Sequence, residues 1–206
     1  MTSVELENLE NLLNTLKEYD KIVYNHSMLV KDLSLAIGKK LKLSLRELDL
    51  LLIGSMFHDI GKIKVPKKIL EKQSDLKDIE RTIIRNHVTT GVSIMADICE
   101  GSEILDIVGL HHVNEDGSGY KALTVDRNLK YSDLVKIVHA SNILANNFNK
   151  KESTKTAKKR LKEVVDNTNI VSINIQKFIL TDIDNLYDIM KNYKESNESI
   201  SKLLGV

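Results

Sequence analysis

Residues 44–62 read SLRELDLLLIGSMFHDIGK, and this stretch fixes the fold class. Ser44 followed by Glu47 has the form of a capping box, so a helix starts here. Leu48, Leu51, Leu52, Ile53, Met56 and Phe57 are spread around most of its circumference. Such a helix is buried on nearly all sides. His58-Asp59 at its C-terminal end would then lie deep in the molecule, where an imidazole and a carboxylate need partners to offset their lost hydration.

Working outward, the rest of the chain has the same helical character. It contains one proline, no tryptophan and nine glycines in 206 residues, and its Leu, Ile, Lys and Glu recur at helical spacing. The expected class is all-α, with no strand. Leu6, Leu9, Leu13 and Leu16 stripe a first helix, and a second is expected over 21–37, stopped near Gly38. After a connecting segment containing Pro66, one helix is expected over 78–97, then a short one ending at His111-His112. Ser132 caps a helix running to Phe148, and two more are expected over 154–165 and 173–193, with fraying after Glu195. We divide the chain into an N-terminal helical extension, 1–19, and one helical bundle, 20–206.

Composition excludes several classes. The 30 basic and 29 acidic side chains leave a formal charge of +1, which gives none of the basic field that a nucleic-acid polymer binder needs. Cys99 is the only cysteine, so disulfide frameworks and cysteine-based zinc ribbons are out. No apolar run reaches membrane-spanning length, and residues 1–5 lack the features of a signal peptide. The expectation is a cytoplasmic protein without a membrane partner.

Taken singly, each histidine reads most simply as an imidazole satisfied by a backbone carbonyl. Their placement argues otherwise. At about 100° per residue, His26 shares a stripe with Ile22, Leu29, Leu33 and Ile37, and His87 shares one with Ile83, Gly91, Ile94 and Ile98. His111 and His112 flank the stripe of Ile104, Leu105 and Val108, whereas His139 is assigned to a solvated face. Several inward imidazoles beside an aspartate are costly unless they share metal ions. Imidazole and carboxylate suit first-row divalent metals, and paired ions generate a hydroxide that attacks phosphoesters. Lys62, one turn from Asp59, is placed to meet a phosphate oxygen. The glycines of Asp116-Gly117-Ser118-Gly119-Tyr120 would let backbone approach a ligand, and Tyr120 could stack on a base or close the pocket.

In this order and spacing, His58-Asp-Ile-Gly-Lys62, Val65-Pro66, His87 with Gly91, and His111-His112 with Asp116-Gly-Ser-Gly-Tyr120 resemble the HD-GYP branch of the HD phosphohydrolase superfamily. The resemblance covers about residues 20–180. It implies a helical HD domain around a metal centre of divalent ions, iron or manganese, with His26, His58, Asp59, His87, His111 and His112 as ligands and Asp59 as the bridge. It also implies Lys62 as a phosphate contact and hydrolysis of cyclic di-GMP. The chain departs from the pattern in places. Ala140-Ser141 and Leu144-Ala145 stand where the family has Ala-Asp and Asp-Ala, which reads Ser141 as the replacement for a ligand aspartate. Ile22 stands where three-metal members carry a glutamate. Val113 replaces a glutamate, Lys121 the proline after Gly-Tyr, and Lys150-Lys151-Glu152 an Arg-Pro-Tyr segment.

The expected function is a phosphodiesterase with at most two ions, with Asp59 and Lys62 catalytic, acting through a metal-bridged hydroxide. Its substrate would be a cyclic dinucleotide or related nucleotide phosphoester, contacted by Lys62, Asp116, Gly117, Gly119 and Tyr120. The alternative is a catalytically weakened signalling module that binds metal or nucleotide and acts through protein partners.

Overall fold

A computed structural model of the chain describes residues 2–99, 102–124, 132–166, 172–194 and 199–205. The described residues are helical throughout, with no strand and one isolated bridge between Val113 and Gly119. The helix at 44–62 forms as expected. It is α3, Leu45–Phe57, with α1 at Ser3–Tyr19 and α2 at Lys21–Lys40 before it. The capping box at Ser44 is formed, and every residue from Leu51 to Phe57 is buried. Helix α3 packs against α2, against α7 (Ser102–Leu110) and against α8 (Asp133–Asn146). That central position carries His58-Asp59 into the interior.

The remaining helices complete two apolar clusters. Leu9, Leu13 and Leu16 of α1 join Met28, Phe57, Val88 and Val108 in one. Leu33, Ile37 and Ile137 join Leu161, Ile179 and Leu186 in the other. The second cluster takes in α9 (Thr154–Asp166), α10 (Ile173–Thr181) and α11 (Ile183–Asn192). Helix α12, Ile200–Leu204, packs against α1. No helix among the described residues is long and apolar enough to cross a membrane.

The structure corrects several boundaries. Helix α2 runs through Gly38 to Lys40 and ends where Lys42 turns left-handed at φ 59°. Its first turn projects past the core, so Ile22 is 80% exposed and not on an inward stripe. The helix expected over 78–97 is two helices, α5 at Asp78–Arg85 and α6 at His87–Ala96, after the short α4 at Lys67–Leu70. The His87 ring takes the Ile84 carbonyl at the junction (Nδ1–O 2.7 Å), so Ile83 does not share the His87 stripe and is exposed. The segment 173–193 breaks at Asp182, whose carboxylate accepts from the Asn185 amide at 3.0 Å. Beyond Glu195, which lies outside the described residues, residues 199–205 do not fray. Ser199 caps α12, Ile200 is fully buried, and its N–H donates to the Glu10 carboxylate.

Candidate metal centre

The turn after α3 is built around one glycine. A 3-10 turn, Ile60–Lys64, follows Asp59 and packs on the start of α6. A side-chain carbon on Gly61 would sit 2.0 Å from the His87 carbonyl oxygen and 2.7 Å from the Gly91 nitrogen. Only a bare backbone lets these segments approach, and the approach sets Asp59 Oδ1 3.2 Å from His87 Nε2. Gly61→Ala is expected to cost about 3 kcal/mol or more, lowering Tm by about 6–12 °C. A thermal melt within 2 °C of the parent, on about this scale, would refute the tight approach.

Asp59 is the hub of the cluster. Its Oδ2 lies 2.7 Å from Lys62 Nζ, 3.3 Å from His58 Nε2 and 3.9 Å from His26 Nε2. Its Oδ1 faces His87 and His111, the latter at 3.9 Å. Two groups with metal-ligand spacing share this carboxylate: His26, His58 and Asp59 on one side, and Asp59, His87, His111 and His112 on the other. The described residues therefore contain a His/Asp cluster that could hold metal.

Its hydrogen bonding suits that use. The Nδ1 atoms of His58, His87 and His111 donate to the carbonyls of Ser55, Ile84 and Val108 at 2.7, 2.7 and 2.9 Å. Each ring is thereby fixed in the tautomer that presents a bare Nε2. His87 Nε2 and His111 Nε2 then face each other at 3.3 Å as two acceptors, an arrangement that a shared cation would relieve. The buried His58 Nε2 and Asp59 Oδ1 have no hydrogen-bond partner. His87 Nε2 lies 3.2 Å from Oδ1, but with the proton on Nδ1 it has none to donate. The donor set thus fits divalent metal.

Electrostatics agree. Burial pushes His26 down to about 4 and His112 down to about 2, and holds His111 well below the usual imidazole range. These rings are neutral near pH 7, as ligation needs. Burial alone would raise the Asp59 carboxyl, but opposing interactions led by the Lys62 ammonium hold it well below its ordinary value.

The loop after His112 forms a tight hairpin. Gly119 has φ 95°, and a side chain there would meet the His112 carbonyl at 2.1 Å. Asp116 is exposed, and its carboxylate accepts from the Ser118 N–H and hydroxyl at 2.9 and 2.6 Å. Gly117 has open space around it. Tyr120 stacks on the His112 ring, with centroids 4.4 Å apart, so its ring braces a histidine of the cluster.

Two α8 residues that the sequence reading missed complete the surroundings. Ser141 is fully buried, and its hydroxyl donates to Ile137 O of its own helix at 2.9 Å. The neighbouring Asn142 reaches the cluster, with Oδ1 2.9 Å from His26 Nε2 and accepting from Asn146 Nδ2 at 2.9 Å. His139 is only 5% exposed, not solvated. Its Nδ1 donates to the His111 carbonyl at 2.6 Å, and Nε2 lies 3.1 Å from the Asn114 carboxamide. The available signal was a polar stripe, His139, Asn142 and Asn146, at helical spacing on an apolar helix. His139→Ala is expected to weaken metal binding about 10–100-fold by freeing the His111 turn. Unchanged affinity in a metal titration would remove that positioning role.

Comparison with known proteins places the chain. The HD domain model matches residues 23–186. Over 109 residues the chain is 36% identical to a cyclic di-GMP phosphodiesterase of Pseudomonas aeruginosa, covering 51% of this chain and 26% of that protein. Over 132 residues it is 33% identical to a cyclic di-GMP phosphodiesterase of Thermotoga maritima, covering 62% and 35%. The match to a 3'3'-cGAMP-specific phosphodiesterase of Vibrio cholerae is 29% identical and covers 53% and 25%. The chain thus spans about a quarter to a third of the length of these relatives. In fold it resembles the HD domain of the L. monocytogenes phosphodiesterase PgpH in complex with cyclic-di-AMP, with a TM-score of 0.66 at 19% identity over 90% of this chain and 99% of that one. The resemblance read from the motifs is borne out, and the chain belongs to the HD domain family.

Proposed function

We propose that this protein is a metal-dependent phosphodiesterase that hydrolyses a cyclic dinucleotide. The observation that carries the reading is Asp59, whose two oxygens face two separate sets of imidazoles, with the Nε2 atoms of His58, His87 and His111 bare. His26, His58 and Asp59 would hold one divalent ion and Asp59, His87, His111 and His112 a second, with iron or manganese suited to this nitrogen and oxygen donor set. When bound, such a pair supplies an activated water and neutralises charge on the phosphoryl group.

The remaining steps fall to this chain's own side chains. Lys62 is 22% exposed at its side chain and held against Asp59, so its ammonium can turn to a phosphate oxygen arriving from the open side and stabilise the charge that builds there. Tyr120 and His139 keep His112 and His111 in place. The backbone at Gly117 is open to a ligand, whereas Asp116 holds the hairpin's shape. The relatives' names, which specify cyclic di-GMP and 3'3'-cGAMP, support a cyclic dinucleotide as substrate class.

The test is metal analysis together with turnover of cyclic di-GMP, cyclic di-AMP and 3'3'-cGAMP after anaerobic loading with manganese or iron. Linear dinucleotide or mononucleotide products are expected in step with metal content. A fully loaded protein that leaves all three intact would overturn the reading.

A further inference from the structure

A groove of about 380 Å³ opens beside the His87 and His112 side of the cluster, between α5 and the segment after Tyr120. Of its lining, only Tyr120 has been given a role so far. One wall is α5, a helix with no buried residue. It presents Ile83, 37% exposed, and Arg85, whose guanidinium lies over the Tyr120 ring at 5.5 Å. The other wall carries Lys121 and Leu123, the latter 87% exposed. That wall is anchored: Ala122 N donates to Gly109 O at 2.8 Å, and Leu123 N donates to Thr89 Oγ1 at 3.2 Å. Two cations and two apolar side chains thus frame one groove, a single ring away from His112.

The chemistry of this frame is specific. A cyclic dinucleotide carries two phosphodiesters and two bases, and the His/Asp cluster can engage only the phosphodiester being cleaved. The other anion must be met locally, because a chain of net charge +1 has no general attractive field. Arginine suits phosphate and also packs on planar rings, and exposed Ile83 and Leu123 offer apolar cover for a nucleobase. Lys121 stands where the resembled family carries a proline, so this cation belongs to the present chain.

We propose that the groove is the subsite for the second nucleotide of a two-phosphate substrate, with Arg85 and Lys121 meeting the uncleaved phosphodiester and Ile83 and Leu123 covering its base. The inference rests on the cyclic dinucleotide reading above. Direct binding tests it independently of turnover. Fluorescently labelled cyclic di-GMP, cyclic di-AMP and 3'3'-cGAMP are titrated into the metal-loaded full chain, as parent and as R85A/K121A. Both side chains lie at the surface, and a thermal melt checks that the variant folds. The dinucleotide bound by the parent is expected to bind the variant at least tenfold more weakly. The preference in kcat/KM for that dinucleotide over bis(p-nitrophenyl) phosphate should fall at least tenfold, through KM. Equal affinity in parent and variant, or no dinucleotide binding by the parent, would overturn the subsite. Tight binding that depends on Arg85 and Lys121 without hydrolysis would uphold the subsite and sink the phosphodiesterase reading instead.

Discussion

Asp59→Ala is expected to empty the cluster and to lower phosphodiesterase turnover by at least about 10³-fold, a loss of roughly 4 kcal/mol in transition-state stabilisation. The size follows from geometry. The two candidate ligand groups have only Asp59 in common, so its removal takes a ligand from both, whereas loss of any one imidazole takes a ligand from one. Charge acts in the same direction. Asp59 is the sole carboxylate in either group, and burial makes His111 and His112 strongly disfavour protonation. Without it, a divalent ion would enter a site with no negative charge beside the Lys62 ammonium, which Asp59 now neutralises at 2.7 Å. Thermal stability provides a second readout. A metal that binds only the folded state raises Tm in proportion to its affinity, and this rise should vanish in Asp59→Ala. Metal content and a metal-dependent Tm rise equal to those of the parent would show that Asp59 is a structural partner of Lys62 and not a ligand.

The convergence on Asp59 was legible because each piece is local. Ser44 and Glu47 start α3, its apolar run buries it, and the pair at its end inherits that depth. His87 and His111 could be placed for a similar reason, since each sits on or at the end of a short apolar helix. What failed was orientation where tertiary contact overrides period. The break between α5 and α6 depends on the His87 ring capturing the Ile84 carbonyl, and the hydrophobic pattern runs through that break unchanged. Ile22 keeps the period of α2 but lies beyond the end of the core. On α8, Ser141 and Asn142 are both buried and both polar, and one step along a helix turns a side chain by about 100°. A single sequence with a broad apolar face leaves that step open. His26, packed across from α8 and 116 positions away in the chain, decides it.

Asn142→Asp is therefore expected to strengthen metal binding at the His26 side at least about tenfold, equivalent to roughly 1.4 kcal/mol, and to raise turnover with it. The side chain already reaches the site, with Oδ1 2.9 Å from His26 Nε2 and support from Asn146 Nδ2. An aspartate there is nearly isosteric and adds the negative charge that this side now draws only from the shared Asp59. The metal-free protein should respond in the opposite sense. Asn142 is 4% exposed, so a second carboxylate beside Asp59 would be desolvated and repelled. Its Tm should fall without metal and rise above the parent's with it, and that reversal is the signature of ligation. Ser141→Asp is the control one residue away. Its hydroxyl bonds only the Ile137 carbonyl of its own helix, in full burial, so a carboxylate there is expected to be unpaired. It should cost about 3–5 kcal/mol whether or not metal is present. If Asn142→Asp loses stability equally in both conditions and gains no metal, Asn142 serves only to orient His26, and the carboxylate at this centre is supplied by Asp59 alone.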